Sequence, residues 1–150
     1  MKDETPPLDL SPGERVVRVI RSDRGRYWRD HGIMALFGMG LVGVVLWLIG
    51  NDHVAIGALG AVLAVGARAA YLASEQLAQR WWLTSRRVIL PGARAVGLRE
   101  VQTARKILGD VQLITLTGDK HLIKHVAAPD ALVAEILAAR DGKAGEGRRR

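Results

Sequence analysis

The sequence predicts an α+β membrane protein: a two-helix transmembrane hairpin, then a small antiparallel β-sheet or partial barrel, capped by a C-terminal α-helix. Three observations carry this. Gly32 to Ala67 hold a single formal charge, Asp52. After Leu77 the apolar pattern switches from helical to alternating, with Gly-containing turns between the runs. An amphipathic stretch follows Pro129. The length of 150 residues suits one small domain plus an anchor. With no cysteine, disulfides, Cys-zinc sites and thiol nucleophiles are excluded. The 49% hydrophobic content is ordinary in amount but clustered, against both a freely soluble and a disordered chain. Arg outnumbers Lys 17 to 5, a bias of GC-rich bacterial genomes.

Taken in order, residues 1–12 are net acidic and read as a disordered N-terminus. Residues 13–31 are a basic juxtamembrane segment. Within it Arg15 to Ile20 (RVVRVI) is either an isolated strand or a lead-in to the first span. Ser11-Pro12-Gly13-Glu14 resembles a capping box and reads equally as a turn. Gly32 to Gly50 is 19 residues without a charge, reaching about 28 Å against a hydrocarbon core of about 30 Å. Asn51, Asp52 and His53 break the run. A second span covers about 54–73, completing a hairpin over 32–79. Its uncharged part, Val54 to Ala67, is only 14 residues, short for a crossing, so a buried or interfacial helix is the alternative. Arg68 sits near its end, where a long side chain snorkels.

Six arginines (15, 18, 21, 24, 26 and 29) precede the first span, Arg80, Arg86 and Arg87 follow the second, and the connecting loop has no Lys or Arg. The positive-inside rule then puts both termini in the cytoplasm of a bacterial inner-membrane protein. The Met-Lys-Asp-Glu start and the late, long apolar run disfavour a signal peptide. Gly60 and Ala64, Gly66 and Ala70, and the group Gly38, Gly40 and Gly43 permit close helix packing. The favoured reading is that the two hairpin helices pack on each other; the other is an oligomerisation or partner face.

Residues 80–140 read as a cytoplasmic domain. Trp81 to Leu90 (WWLTSRRVIL) reads as one strand, Pro91-Gly92 as a turn and Ala93 to Leu98 as a returning strand. Val101 to Leu108 is strand or short helix. Val111 to Thr117 and Lys120 to Val126 flank Gly118-Asp119 as a hairpin. Asp130 to Arg140 is a helix with the stripe Leu132, Val133, Ile136 and Leu137. Residues 141–150 read as a disordered basic tail.

The segment Trp82 to Leu90, its Gly turn, then Val96-Gly97-Leu98-Arg99-Glu100-Val101 and the helix entered through Pro129-Asp130 resemble the bacterial membrane-anchored pleckstrin-homology-like (PH-like) domain proteins. Their strand reads aromatic-x-Leu-Thr-x-x-Arg-aliphatic-aliphatic, and a later segment reads Ile-Pro-Leu-x-x-Ile. The likeness covers residues 13–140. It departs at Gly97, where the family often has Pro, and in a shorter stretch between Val101 and Val111. The resemblance implies a bent antiparallel sheet capped by a helix and a binding or scaffolding role without a catalytic motif. Some related proteins assist assembly of photosynthetic membrane complexes; no motif here selects that role.

The candidate binding residues form a basic zone with aromatics: Arg80, Trp81, Trp82, Arg86, Arg87, Arg94, Arg99, Arg105 and Lys106. Juxtamembrane cations gain about 1 kcal/mol each near an anionic leaflet. The zone therefore either binds anionic headgroups or another membrane protein, or merely sets topology and solubility. His121 and His125 would share a strand face, with Lys120 and Lys124 opposite. No third ligand stands at recognisable spacing, so no metal and no cofactor is expected. No nucleophile elbow or phosphate loop appears, so no enzyme activity is expected. Nucleic acid is disfavoured because Tyr27, Trp28, Tyr71, Trp81 and Trp82 border the apolar block, the membrane-interface pattern. Two spans leave no transport pathway. The expected function is a membrane-anchored scaffold or assembly factor for another membrane protein. The alternative is an anionic-lipid-binding or regulatory accessory subunit. Homo-oligomerisation is a further possibility.

Overall fold

The computed structural model describes residues 5–148, with side chains through residue 142. It divides into two units. One is Asp23–Ala78. The other joins the chain up to Ser22 with the chain from Gln79 onward.

The first unit is a helical hairpin. Helix α1 spans Arg24–Leu48 and α2 spans Val54–Ala78, each 25 residues, or about 37 Å at 1.5 Å per residue. Both are long and apolar enough to cross a membrane. They extend beyond the spans read from hydropathy, because Asp23 caps α1 nine residues before Gly32, its carboxylate accepting from the Arg26 N–H at 2.7 Å. At the other end Gly50 takes φ +70°. Its N–H donates to Trp47 O (3.0 Å), and that of Asn51 donates to Leu46 O (2.9 Å). This left-handed close satisfies the last carbonyls of α1.

Tyr27 fixes the open end of the hairpin. It is fully buried, and its hydroxyl donates to Ala69 O at 2.7 Å. His31 lies 4.2 Å from its ring centroid and Trp28 meets it edge-on. At the other end the helices meet at Gly57, where a methyl group would strike Leu46. The small-residue positions read from sequence mostly fall elsewhere. A Cβ at Gly43 would lie 3.9 Å from Val54 Cγ1, but one at Gly38, Gly40, Gly60 or Gly66 would meet nothing within 4 Å. Spacing alone does not say which way a small residue points.

Among the described residues the second unit holds seven strands in two antiparallel sheets. The first has the order β1 (Val16–Arg21), β2 (Arg80–Thr84), β3 (Arg87–Leu90), β4 (Arg94–Gly97). The second has β5 (Val101–Ile107), β6 (Asp110–Thr115), β7 (Lys120–Ile123). Helix α3, Pro129–Arg148, follows. The Arg15–Ile20 ambiguity resolves as β1, an edge strand paired to β2 with Val19 opposite Trp82 and Arg21 opposite Arg80. The hairpin is therefore inserted into the sheet, between β1 and β2, and the domain draws a strand from the segment read as juxtamembrane.

WWLTSRRVIL is two strands, not one. Trp82 pairs with Ile89 and Leu83 with Val88. The reversal at Ser85-Arg86 needs neither Gly nor Pro. Thr84 Oγ1 accepts the N–H groups of Arg86 (3.1 Å) and Arg87 (3.0 Å) and holds the turn. Val101–Leu108 resolves as β5. The β5–β6 turn puts Leu108 at φ +48° and Gly109 at φ +91°, a type I′ reversal.

Side chains of both sheets and α3 meet in one core. Ile20, Trp81, Leu83, Val88 and Leu90 come from the first sheet, and Val111, Leu113 and Ile123 from the second. Leu132 and Ile136 of α3 complete it, both fully buried. Period-2 burial in β6 (Val111, Leu113, Thr115) and the i, i+4 pair in α3 are what sheet and helix geometry require. The helix runs past Arg140, the end read from sequence, through Arg148. Residues 149–150 of the tail and 1–4 of the N-terminal segment lie outside the described residues.

Candidate functional site

The basic zone read from sequence separates into three groups. Trp81 and Trp82 are buried, 2% and 7% exposed. Strand alternation sends Trp81 into the core with Leu83, so the interface role expected of it is replaced by a packing one.

Arg86 and Arg87 fasten the N-terminal segment. Arg86 Nη2 donates to Pro12 O (3.0 Å), and Arg87 Nη2 donates to Asp9 O (2.7 Å). Arg87 Nε donates to Glu14 Oε1 at 3.0 Å. The segment from Asp9 is thus strapped onto the β2–β3 turn, contrary to its reading as disordered. Glu14 is the residue that sequence reasoning missed. Its carboxylate is fully buried and accepts from Thr84 Oγ1 (2.6 Å) and the Ser11 N–H (2.9 Å) as well as Arg87. Burial pushes its pKa up; the Thr84 hydroxyl, the Ser11 N–H and the Arg87 guanidinium outweigh that and leave it below the ordinary value. Ser11–Glu14 is a turn, closed by Glu14 N to Ser11 O at 2.8 Å, with Gly13 at φ +75°.

Of the remaining cations Arg80 is half-buried, and Arg94, Arg99, Arg105 and Lys106 lie on the surface of the domain. Arg80 Nη1 donates to Gln79 O, Arg105 Nε to Gln112 Oε1, and Lys106 Nζ to Asp130 at 2.7 Å. Arg99 is exposed. Arg94 stands apart from these because it borders a cleft.

The cleft measures about 270 Å³. Gln79 and Trp81 form one wall, at the start of β2. Leu90, Pro91 and Arg94 form the second, around the β3–β4 turn. Lys120, His121 and Leu122 of β7 and Lys124 just past its end supply the third. No carboxylate lines it. Among the described residues no salt bridge engages Arg94, Lys120 or Lys124, whereas Arg87 and Lys106 are both ion-paired. The volume equals about nine water molecules at roughly 30 Å³ each, below the usual range for drug-sized ligands. Positive charge, hydrogen-bond donors and a few apolar carbons are what the lining offers: a small anion fits it.

The two histidines do not share a strand face. His121 is on β7, while His125 lies beyond its end at φ +53°, with its N–H donating to Asp110 Oδ1 at 2.8 Å. Among the described residues no group of three or more His, Asp or Glu side chains is placed to hold a metal. No family model, curated protein or solved structure matches the chain.

Proposed function

We infer that this chain is a non-enzymatic, membrane-anchored binding module of the PH-like kind, a scaffold or assembly factor for another protein of the bacterial inner membrane. The observation that carries the reading is the insertion of the hairpin between two paired strands. Arg21 sits opposite Arg80, so the chain leaves and re-enters the sheet at directly opposed residues, about 5 Å apart. Both ends of the hairpin therefore start on one side of any membrane it crosses. The Arg-rich flanks assign that side to the cytoplasm, and the Lys- and Arg-free loop around Asn51 to the opposite face. The exposed Leu36, Phe37, Trp47, Ile56 and Leu63 side chains suit lipid contact. A four-stranded and a three-stranded sheet closed by a helix agree with the bent, helix-capped sheet that the resemblance implies.

The natural chain has no cysteine, which makes the topology directly testable. Single cysteines at Asn51 and at Arg99 are challenged with a membrane-impermeant maleimide in intact spheroplasts. Asn51→Cys labels and Arg99→Cys does not; the reverse pattern sinks the orientation. Purification of the tagged chain from its native membranes in mild detergent then reads the role. A stoichiometric membrane-protein partner supports the scaffold; recovery of the chain alone refutes it. The second reading, an anionic-headgroup module, is favoured by the cleft.

A further inference from the structure

We propose that the cleft between the β3–β4 turn and β7 is a phospholipid-headgroup site, in which Arg94, Lys120 and Lys124 hold the phosphate. The proposal deepens the anionic-headgroup reading and rests on the membrane anchoring inferred above.

Three features carry it. Cations gather without compensation: three basic side chains border one cleft, no carboxylate lines it, and no salt bridge engages any of the three among the described residues. Like charges brought together are destabilising unless an anion joins them. The lining is also mixed. Leu90, Pro91 and Leu122 stand beside the cations, and an ester-linked glycerol suits that combination better than a bare, fully hydrated ion. Finally, the cleft wall begins at Gln79, the residue directly after Ala78 at the end of α2. Where the hairpin crosses a bilayer, headgroups are therefore within the reach of a short stretch of chain. Arg is suited to bidentate phosphate contact and Lys to point-charge contact, so the three residues divide the task chemically.

The test uses the full-length chain in a maltoside detergent, titrated with phosphatidylglycerol or phosphatidylcholine, with bound lipid counted by native mass spectrometry. The wild type prefers phosphatidylglycerol. The variant Arg94→Gln/Lys120→Gln/Lys124→Gln loses about tenfold or more of that affinity. A control, Arg15→Gln/Arg18→Gln/Arg140→Gln, removes equal charge outside both the cleft and the basic zone and stays within about twofold of wild type. Two smaller changes guard against misfolding: Lys120→Arg/Lys124→Arg keeps binding, and Lys120→Glu alone weakens it. Equal losses in the cleft and control variants, or no preference between the lipids in the wild type, overturn the proposal. Displacement of phosphatidylglycerol by an equal concentration of inorganic phosphate assigns the cleft to a free anion and overturns the lipid source. Failure of the anchoring is read separately, as release of the chain from membranes by alkaline carbonate.

Discussion

Replacing Glu14 by Gln tests the strap that joins the N-terminal segment to the sheet. In the wild type the buried carboxylate accepts from Thr84 Oγ1 at 2.6 Å, Ser11 N–H at 2.9 Å and Arg87 Nε at 3.0 Å. Breaking a fully buried ion pair costs about 3–5 kcal/mol. That range must be discounted here, since the Arg87 side chain is 24% exposed and keeps its bond to Asp9 O. Gln retains one acceptor oxygen, so the Thr84 or the Ser11 bond survives. The expected loss is about 2 kcal/mol, combining one charge-assisted bond with partial desolvation of a guanidinium. For a domain of this size each kcal/mol moves Tm by roughly 4–8 °C, so the variant melts about 10 °C lower. Intrinsic fluorescence in detergent reports it, because Trp81 and Trp82 are both buried in the domain. The pH dependence gives a second readout. The folded-state pKa of Glu14 lies below its ordinary value of 4.5. Its stabilisation is thus complete above that value and disappears as pH falls through the lower folded-state value. The gap in Tm between wild type and Glu14→Gln is widest near neutrality and closes in acid. A variant melting within a degree or two of wild type at neutral pH, or a gap that widens in acid, refutes the assignment.

Further outcomes follow from single contacts. Leu108→Asn installs Asn-Gly in the type I′ turn and relieves a 98%-exposed leucine at φ +48°; it stabilises the domain by about 0.5–1 kcal/mol, measured by denaturant titration. Gly57→Val drives a branched side chain into Leu46 and separates α1 from α2, seen as lower cross-linking between cysteines placed at Gly43 and Val54, positions that face each other across the hairpin. Tyr27→Phe removes the bond to Ala69 O and costs the hairpin about 1 kcal/mol, read as faster proteolysis within α2 in detergent.

What could be read from the sequence was whatever depends on near neighbours. The apolar spans, the Leu132/Ile136 stripe of α3 and the alternation of β6 are local periodicities, and each appears in the fold. What escaped depends on distance or on a side chain acting as backbone. Glu14 meets Thr84 from 70 residues away, and no spacing rule connects them. The β2–β3 turn is closed by a threonine hydroxyl, so the apolar alternation continues across it and one strand is read where there are two. β1 belongs to β2 only because the hairpin between them returns to its starting point. The aromatic–Arg pattern was real, but two tryptophans went inward and two arginines to the strap. Of the zone's cations only Arg94 lines the cleft, which Trp81 also walls and where Lys120 and Lys124 join it.

The inserted hairpin also orders events at the ribosome. β1 is made first, then α1 and α2, and only then the strand that β1 must pair with. The sheet cannot close until both helices have been synthesised and have come back together, so on the membrane-anchored reading proposed above its longest-range pairing waits on membrane integration. A chain arrested with one helix across the bilayer leaves β1 and β2 on opposite sides. The flank of β2 then stays open, along with the core to which Ile20 contributes. Such a chain carries an exposed, tryptophan-bearing strand edge, the kind of surface that quality-control proteases and chaperones engage. On that reading, completion of the domain acts as a proofreading step for the topology of its own anchor.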